Sequence, residues 1–287
     1  MTNDYFMESE TYTTQMDDMP TKGTQKHLNM FFIVDVSGSM RKEGRIQAVN
    51  EAFTNMVPIL REVQRDCMAE FELNIAIMTF DQEARWIVPP TPILEYNHKE
   101  IECSQWGTYF SKAFKTLGGK LTKSEYMAYT GKIVKPYIML MTDGEPTEGD
   151  NYEPEIDKLL KNDLFSQAQR FAVLIGNDTI HSASARATVE KFVSNSKEGI
   201  IDAEDAFKIA AEVQAKTLHT VINMTKHNVA DTLGESQEQY QLLAEDGMLV
   251  KRPIIVGEDF VLTGFKEKEW EEVSQGFKAF GDEQDFI

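Results

Sequence analysis

Residues 31–40, FFIVDVSGSM, join an apolar run to three oxygen-bearing side chains at alternate positions. Asp35 ends the run, and Ser37 and Ser39 follow it. An apolar run without polar interruptions is typical of a strand that is buried on both faces of a sheet. Side chains two positions apart in extended backbone point to the same side. The stretch therefore predicts a buried strand followed by a loop that presents oxygen atoms together.

Similar apolar runs recur along the chain and alternate with amphipathic segments. Further strands are predicted at FELNIAIMTF (71–80), ARWIVPP (84–90, an edge strand ended by Pro89 and Pro90), PYIMLMTDG (136–144), RFAVLIG (170–176) and GII (199–201). Helices are predicted at 45–64, 107–121, 124–134, 153–169, 184–195 and 203–224. Apolar strands separated by helices predict an α/β fold, a doubly wound and mostly parallel Rossmann-like sheet covered on both faces.

Composition predicts four segments in this chain of 287 residues. Residues 1–27 form a disordered acidic arm, 28–224 the main domain, 225–235 a polar linker, and 236–287 a small α+β appendage. No apolar run approaches the roughly 20 residues that cross a bilayer, and the first residues lack the pattern of a secretory signal. We therefore expect a cytoplasmic protein without a membrane partner.

Charge and cysteine content exclude two further classes. A formal net charge of -18 argues against nucleic-acid binding, because phosphate contacts need clustered Lys and Arg. Cys67 and Cys103 are the two cysteines, too few for a disulfide framework and not in a C-x-x-C pair.

The ends of the predicted strands suggest a metal site. Asp35 and Asp143 each close a buried strand, so both carboxylates should lie at the carboxyl edge of a parallel sheet, where ligands gather. Ser37 and Ser39 follow the first strand, and Thr108 begins a helix at which its hydroxyl could face the same place. Hydroxyl and carboxylate oxygens are hard ligands, which predicts a divalent cation such as Mg²⁺.

This pattern resembles the von Willebrand factor A (VWA) domain with its metal-ion-dependent adhesion site. The resemblance rests on D-x-S-x-S at 35–39, on the distal Thr108 and on T-D-G at 142–144, and it covers roughly residues 28–222. It implies a site for Mg²⁺ (or Mn²⁺ or Ca²⁺) in which two serines and a threonine bind directly, two aspartates bind directly or through water, and a protein partner supplies an Asp or Glu. The implied ligands are Asp35, Ser37, Ser39, Thr108 and Asp143.

Within that family the chain looks most like the intracellular TerY-like proteins of bacterial tellurium-resistance and stress clusters, in which the domain is thought to scaffold protein partners. Some of those proteins carry a cysteine-rich tail, which this sequence lacks. Trp106, two residues before Thr108, is expected either to anchor an interface or to pack under the loop.

The competing class is a Mg²⁺-dependent phosphohydrolase. A phosphatase of the haloacid-dehalogenase type needs D-x-D after its first strand, but the chain has Asp35-Val36-Ser37. Glu145 is the candidate general base, and the five histidines show no ligand spacing. A non-enzymatic interaction module is therefore favoured.

The last 60 or so residues resemble the second half of arsenate-reductase/Spx-like proteins of the thioredoxin fold, through LLAEDGMLVKRPI (242–254) and VLTGFKEKEWEE (261–272). No cysteine follows Cys103, so the reactive half of that fold is absent and Arg252 is expected to serve packing. Two helices and two strands are too small a core to be stable alone, so the segment should dock on the main domain or form a homodimer. The side chains expected to be buried there are Leu242, Leu243, Ile254, Ile255, Phe260, Leu262, Phe265 and Trp270.

Overall fold

The computed structural model describes residues 26–67, 70–128, 132–230, 255–256 and 261–262. The elements in chain order are β1 (Lys26–Asp35), a 3-10 helix (Gly38–Gly44), α1 (Arg45–Asp66), β2 (Phe71–Phe80), β3 (Ala84–Pro92), α2 (Phe110–Lys120), β4 (Lys132–Ile133), β5 (Tyr137–Thr142), α3 (Glu153–Leu160), α4 (Asp163–Gln167), β6 (Gln169–Ile175), α5 (Asn177–Ile180), α6 (Ala183–Phe192), β7 (Ile200–Ala203), α7 (Ala206–Ala230), β8 (Ile255–Val256) and β9 (Val261–Leu262).

The first seven strands form one sheet in the order β3-β2-β1-β5-β6-β7, with β4 paired to the start of β1. All of these pairs are parallel except the pair of β2 and the edge strand β3. The predicted mostly parallel α/β sheet is confirmed. Because β1 lies between β2 and β5, the oxygen-bearing end of β1 lies near the middle of the carboxyl edge.

Helices cover both faces of this sheet. Phe32 and Val34 of β1 pack into a core that includes residues of α1 and α7. Phe31 and Ile33 pack into the opposite core, which includes residues of α2, α3, α4 and α6. All four side chains are fully buried, which explains why the strand is apolar at successive positions rather than at alternate ones.

The helix predicted at 124–134 is wrong. Residues 123–127 form turns, and Lys132–Ile133 form β4. Asn29, buried in β1, donates from Nδ2 to the carbonyl oxygen of Tyr126 at 3.1 Å and contacts Sδ of Met127 at 3.0 Å. A side chain of β1 therefore binds a carbonyl oxygen that, in a helix, would accept from a backbone amide of the same segment.

The division of one predicted helix and the length of one predicted strand also differ from the predictions. The helix predicted at 153–169 is divided into α3 and α4, because Asn162 accepts hydrogen bonds from the amides of Leu164 and Phe165 and caps a new helix. Strand β3 continues past the two prolines that were expected to end it. An edge strand tolerates prolines, and the register of β3 with β2 shifts in this region.

The chain separates into two compact units, residues 1–225 and 226–287. Strand β1 begins within the predicted arm, and α7 covers residues 225–230 of the predicted linker. In the second unit, β8 and β9 form an antiparallel pair in which Ile255 lies opposite Leu262. Arg252 and the other side chains predicted to be buried there lie outside the described residues, as does the arm up to residue 25. Within the described ranges, no helix is long and apolar enough to cross a membrane.

The loop from β3 to α2, which carries Thr108, is fixed to α1 by Asn50. The buried Asn50 side chain donates to the carbonyl oxygen of Ile101 at 2.9 Å and accepts from the amide of Ile101 at 2.8 Å. Its Oδ1 also lies 3.0 Å from Nε2 of His98. One amide side chain thus satisfies several polar groups of this loop.

We expect Asn50→Leu to lower the free energy of unfolding by about 2 to 4 kcal/mol, because both backbone groups of Ile101 lose their partner. Urea unfolding measures the loss. The matched control is Glu51→Leu at the exposed neighbouring position, which should change stability by less than about 0.5 kcal/mol. Equal effects of the two substitutions would contradict this role of Asn50.

Candidate metal centre

The five predicted ligand residues lie at the carboxyl edge of the sheet. Asp35 ends β1, Asp143 directly follows β5, and Thr108 lies two residues before α2. Strands β1 and β5 are neighbours, with Val34 opposite Met141. The topology therefore brings the two carboxylates to adjacent strand ends.

Ser37 and Ser39 connect these two strand ends through hydrogen bonds. The amide of Ser37 donates to Oδ1 of Asp35 at 2.8 Å. Oγ of Ser37 lies 3.0 Å from Oγ of Ser39, which donates to Oδ1 of Asp143 at 2.7 Å. Ser39 lies in the 3-10 helix and not in the extended backbone that the alternation predicted, yet the two hydroxyls form one row that ends at the second carboxylate.

The other oxygen of Asp35 accepts two threonine hydroxyls. Thr142 donates to Oδ2 of Asp35 at 2.6 Å, and Thr108 donates to the same atom at 3.3 Å. Gly144 leaves room for this contact, because a Cβ there would lie 3.0 Å from Oγ1 of Thr108. Thr142 was noted in the sequence as part of the strand end, and the structure shows that it binds the first carboxylate.

Burial raises the pKa of Asp35 to about 6, because removal from water disfavours the charged carboxylate. The hydrogen bond from Thr142 acts in the opposite direction, and the charge of Asp143 raises the pKa further. The carboxyl group is fully buried, so this negative charge is held at a cost that a nearby cation would relieve.

Arg45, which the sequence reasoning missed, contacts the second carboxylate. Its Nη1 donates to Oδ2 of Asp143 at 2.6 Å, and its Nη2 donates to Oδ1 of Asp178 at 2.8 Å. Burial acts to lower the pKa of Arg45, but the bond to Asp143 and the charges of both aspartates outweigh it and raise the pKa. The same contacts lower the pKa of Asp178 against the opposing effect of its own burial.

The fold provides a specific place for the Arg45 guanidinium. Gly176 has a φ of +93°, and a Cβ at this position would lie 2.5 Å from Nη2 of Arg45. The hydroxyl of Thr179 donates to the carbonyl oxygen of Asp143 from the same turn. A sequence signal for Arg45 existed, since a cation at the first residue of a helix opposes the helix dipole and needs a local reason.

The loop before α2 is also held at the site. The amide of Thr108 donates to Oγ1 of Thr147 at 2.8 Å, and the amide of Gly38 donates to the carbonyl oxygen of Trp106 at 3.0 Å. The Trp106 side chain is 58% exposed. Trp106 therefore does not pack under the loop, and its role in an interface stays a prediction.

Three groups that could act as a general base form contacts with other residues. Glu145 is exposed and accepts a hydrogen bond from Ser182 at the start of α6. His181 binds the carbonyl oxygen of Asn177 at 2.8 Å. His27 pairs with Glu72 at the start of β1, the end opposite to Asp35.

The donor set consists of three hydroxyls and two carboxylates. In the part of the chain that the structure describes, no group of three or more His, Cys, Asp and Glu side chains could hold a metal ion. A cation at the sheet edge would therefore depend on hydroxyl oxygens, which suit hard divalent cations.

Residues 30–145 match the family model of the von Willebrand factor type A domain. This match confirms the resemblance to the VWA domain for those residues, and the range contains all five predicted ligands. Residues 214–273 match the ArsC family, so that similarity begins within α7, earlier than the predicted appendage at 236. No protein with a curated description matches the sequence.

One solved structure shows the same fold at low sequence identity, and two others align less closely. The pilus adhesin SpaC from Lactobacillus rhamnosus GG, in its open conformation, is 15% identical, covers 71% of this chain and 31% of its own, and has a TM-score of 0.51. Proximal thread matrix protein 1 from the mussel byssus, with a zinc-occupied MIDAS motif, is 15% identical with coverages of 68% and 46% and a TM-score of 0.46. A von Willebrand factor type A protein from Catenulispora acidiphila is 14% identical with coverages of 68% and 42% and a TM-score of 0.47. This chain spans less than half the length of each.

We expect Asp35→Asn to stabilise the metal-free protein at pH 7.5. The folded-state pKa of Asp35 is raised from 3.8 to about 6, so the folded state binds more protons in this interval and stability falls as pH rises through it. Asn removes the buried charge, which should raise the free energy of unfolding by on the order of 2 kcal/mol. Thermal unfolding in EDTA should show a higher midpoint for the variant at pH 7.5 and a much smaller difference at pH 5. A variant less stable than wild type at both pH values would contradict this account.

Proposed function

We propose that residues 28–224 form a metal-dependent protein interaction module. In this proposal a divalent cation, Mg²⁺ or alternatively Mn²⁺ or Ca²⁺, binds at the carboxyl edge of the sheet and takes an Asp or Glu carboxylate from a protein partner. The proposed ligands are Asp35, Ser37, Ser39, Thr108 and Asp143.

The spacing of the oxygen atoms carries this proposal. Oγ of Ser39 lies 3.0 Å from Oγ of Ser37 and 2.7 Å from Oδ1 of Asp143. Adjacent ligands of an octahedral Mg²⁺ at 2.0–2.1 Å are about 2.9 Å apart. The hydrogen-bonded oxygens therefore already have separations that a shared cation could use, and the serine hydroxyls would keep their hydrogens and turn their lone pairs toward the cation.

The degree of burial supports an external ligand. Asp35, Ser37 and Thr108 are nearly inaccessible, whereas Ser39 is partly exposed. One side of the oxygen cluster is therefore open to a partner. Beside it, Trp106 presents an exposed aromatic ring from a backbone fixed by hydrogen bonds, and rigid exposed Trp residues commonly anchor protein interfaces.

The cellular role is proposed from the resemblance to TerY-like proteins, which suggests assembly of a bacterial stress-response or tellurium-resistance system in the cytoplasm. SpaC, which shares the fold, is a pilus adhesin, and only the general role of an interaction module is carried over from it. The C-terminal segment is proposed to contribute a homodimer contact or to pack on the main domain.

We also propose that the chain is not an enzyme. The alternative, a Mg²⁺-dependent phosphohydrolase, needs a base beside the metal-bound water, and Glu145 is bound to Ser182 instead. Arsenate reduction needs a reactive thiolate. Burial raises the pKa of Cys67 to about 12 and that of Cys103 to about 11, so both thiols stay protonated at neutral pH.

Thr108→Ala should weaken Mn²⁺ binding at least tenfold while the domain stays folded, because Thr108 lies on the loop before α2 and the strands carry the core. Isothermal calorimetry with Mn²⁺, Mg²⁺, Ca²⁺ and Zn²⁺ measures this, with Thr91→Ala on β3 as the control. Unchanged Mn²⁺ affinity in both Thr108→Ala and Ser39→Ala would disprove the site. The alternative function is tested with p-nitrophenyl phosphate. Hydrolysis of this compound by the Mg²⁺-loaded protein would favour the phosphohydrolase if Thr108→Ala abolishes it.

Capture of a partner from bacterial lysate should require the cation and the exposed aromatic ring. We expect EDTA or Thr108→Ala to abolish capture, and Trp106→Ala to weaken it at least fivefold without changing Mn²⁺ affinity. Mutation of an acidic residue in the captured protein should have the same effect as EDTA. Capture that is equal with and without EDTA would show that the predicted site does not bind the partner.

A further inference from the structure

Arg45 is a buried cation next to the proposed metal site. Its side chain is 4% exposed, and it pairs with Asp143, whose side chain is 0% exposed. Its second partner, Asp178, is 59% exposed, so water screens that charge more strongly. The fully desolvated pair is therefore Arg45 with Asp143, and the guanidinium cannot lose its proton in a protein.

We propose that Arg45 determines which ligands the site prefers, because its guanidinium offsets part of the carboxylate charge around a bound cation and leaves that cation incompletely neutralised. This inference rests on the proposed function. The carboxylates of Asp35 and Asp143, one guanidinium and a divalent cation together leave one positive charge. A single carboxylate from a partner neutralises it. Without the guanidinium, the buried charges would already balance and an external anion would gain much less.

The hydrogen bonds show how Arg45 acts on the metal ligand. Oδ2 of Asp143 accepts from Arg45, while Oδ1 of the same carboxylate accepts from Ser39 in the oxygen row. The guanidinium and the cation would therefore share one carboxylate, and the bond to Arg45 reduces the negative charge that Oδ1 offers to a metal. This weakens metal binding and strengthens binding of an outside carboxylate.

The groups around the Arg45 guanidinium bind its charge and do more than pack against it. Its buried Nε has no hydrogen-bond partner among the described residues, which is unfavourable. Its two terminal nitrogens are nevertheless held by carboxylates on two different loops, and Gly176 leaves the space for them. Asp178 tunes the effect, since its negative charge offsets part of the guanidinium charge.

The test uses the full chain and two probes, Mn²⁺ alone and then N-acetyl-L-glutamate N-methylamide added to the Mn²⁺-loaded protein. Mn²⁺ binding is followed by electron paramagnetic resonance, and carboxylate binding by the loss of water-proton relaxivity as coordinated water is displaced. We expect Arg45→Gln to bind Mn²⁺ at least tenfold more tightly and the glutamate probe at least fivefold more weakly. Arg45→Lys should stay near wild type. Arg65→Gln, an exposed control about 30 Å along α1, should also stay near wild type.

Asp178→Asn provides a second test at an exposed position. It should shift both affinities in the opposite direction, with Mn²⁺ binding two- to fivefold weaker and probe binding stronger. If Arg45 only holds Asp143 in place, Arg45→Gln will weaken Mn²⁺ binding and Asp178→Asn will not strengthen probe binding, which overturns the inference. The two proposals fail separately, because an effect of Ser39→Ala on Mn²⁺ affinity tests the site itself and is independent of Arg45.

Discussion

The adjacency of β1 and β5 places two carboxylates, Asp35 and Asp143, at neighbouring ends of a parallel sheet and out of water. Like charges in such a position repel, and burial penalises each of them. The surrounding groups reduce this penalty in different ways. Hydroxyls and an amide bind Asp35, whereas a guanidinium binds Asp143. Much of the local structure, including the two glycines that leave space, follows from the need to hold these charges.

The sequence predicted those parts of the structure that depend on local pattern. Runs that are apolar at every position indicated strands buried on both faces, and strand ends in a parallel sheet meet at one edge, so the placement of Asp35 and Asp143 followed. Contacts between distant residues could not be read in this way. Arg45 lies 98 residues from Asp143 and 133 from Asp178. The helix wrongly predicted at 124–134 also involves a distant contact, since Asn29 of β1 binds the carbonyl oxygen of Tyr126.

The contacts around the oxygen cluster distinguish the two functional classes better than the ligand types do. A hydrolase and a binding module could use the same serines, threonine and aspartates to hold a cation. A hydrolase also needs a base that is free to take a proton from water. Glu145 accepts a hydrogen bond from Ser182 at the start of α6, whereas the Trp106 side chain is exposed beside the cluster. This combination suits recognition of a protein surface.

The hydrogen-bonded row from Ser37 to Asp143 would allow one arrangement to serve both the metal-free state and the proposed metal-bound state. Its oxygens are already separated by 3.0 and 2.7 Å, so a cation could enter without a large movement of the strands. Preorganised ligands lose little conformational entropy on binding. Their energetic cost is instead the buried charge of Asp35, which a cation would relieve. Under the proposed function, stability without metal and affinity for metal would therefore be opposed at Asp35, and Arg45 would leave part of the cation's charge for a partner.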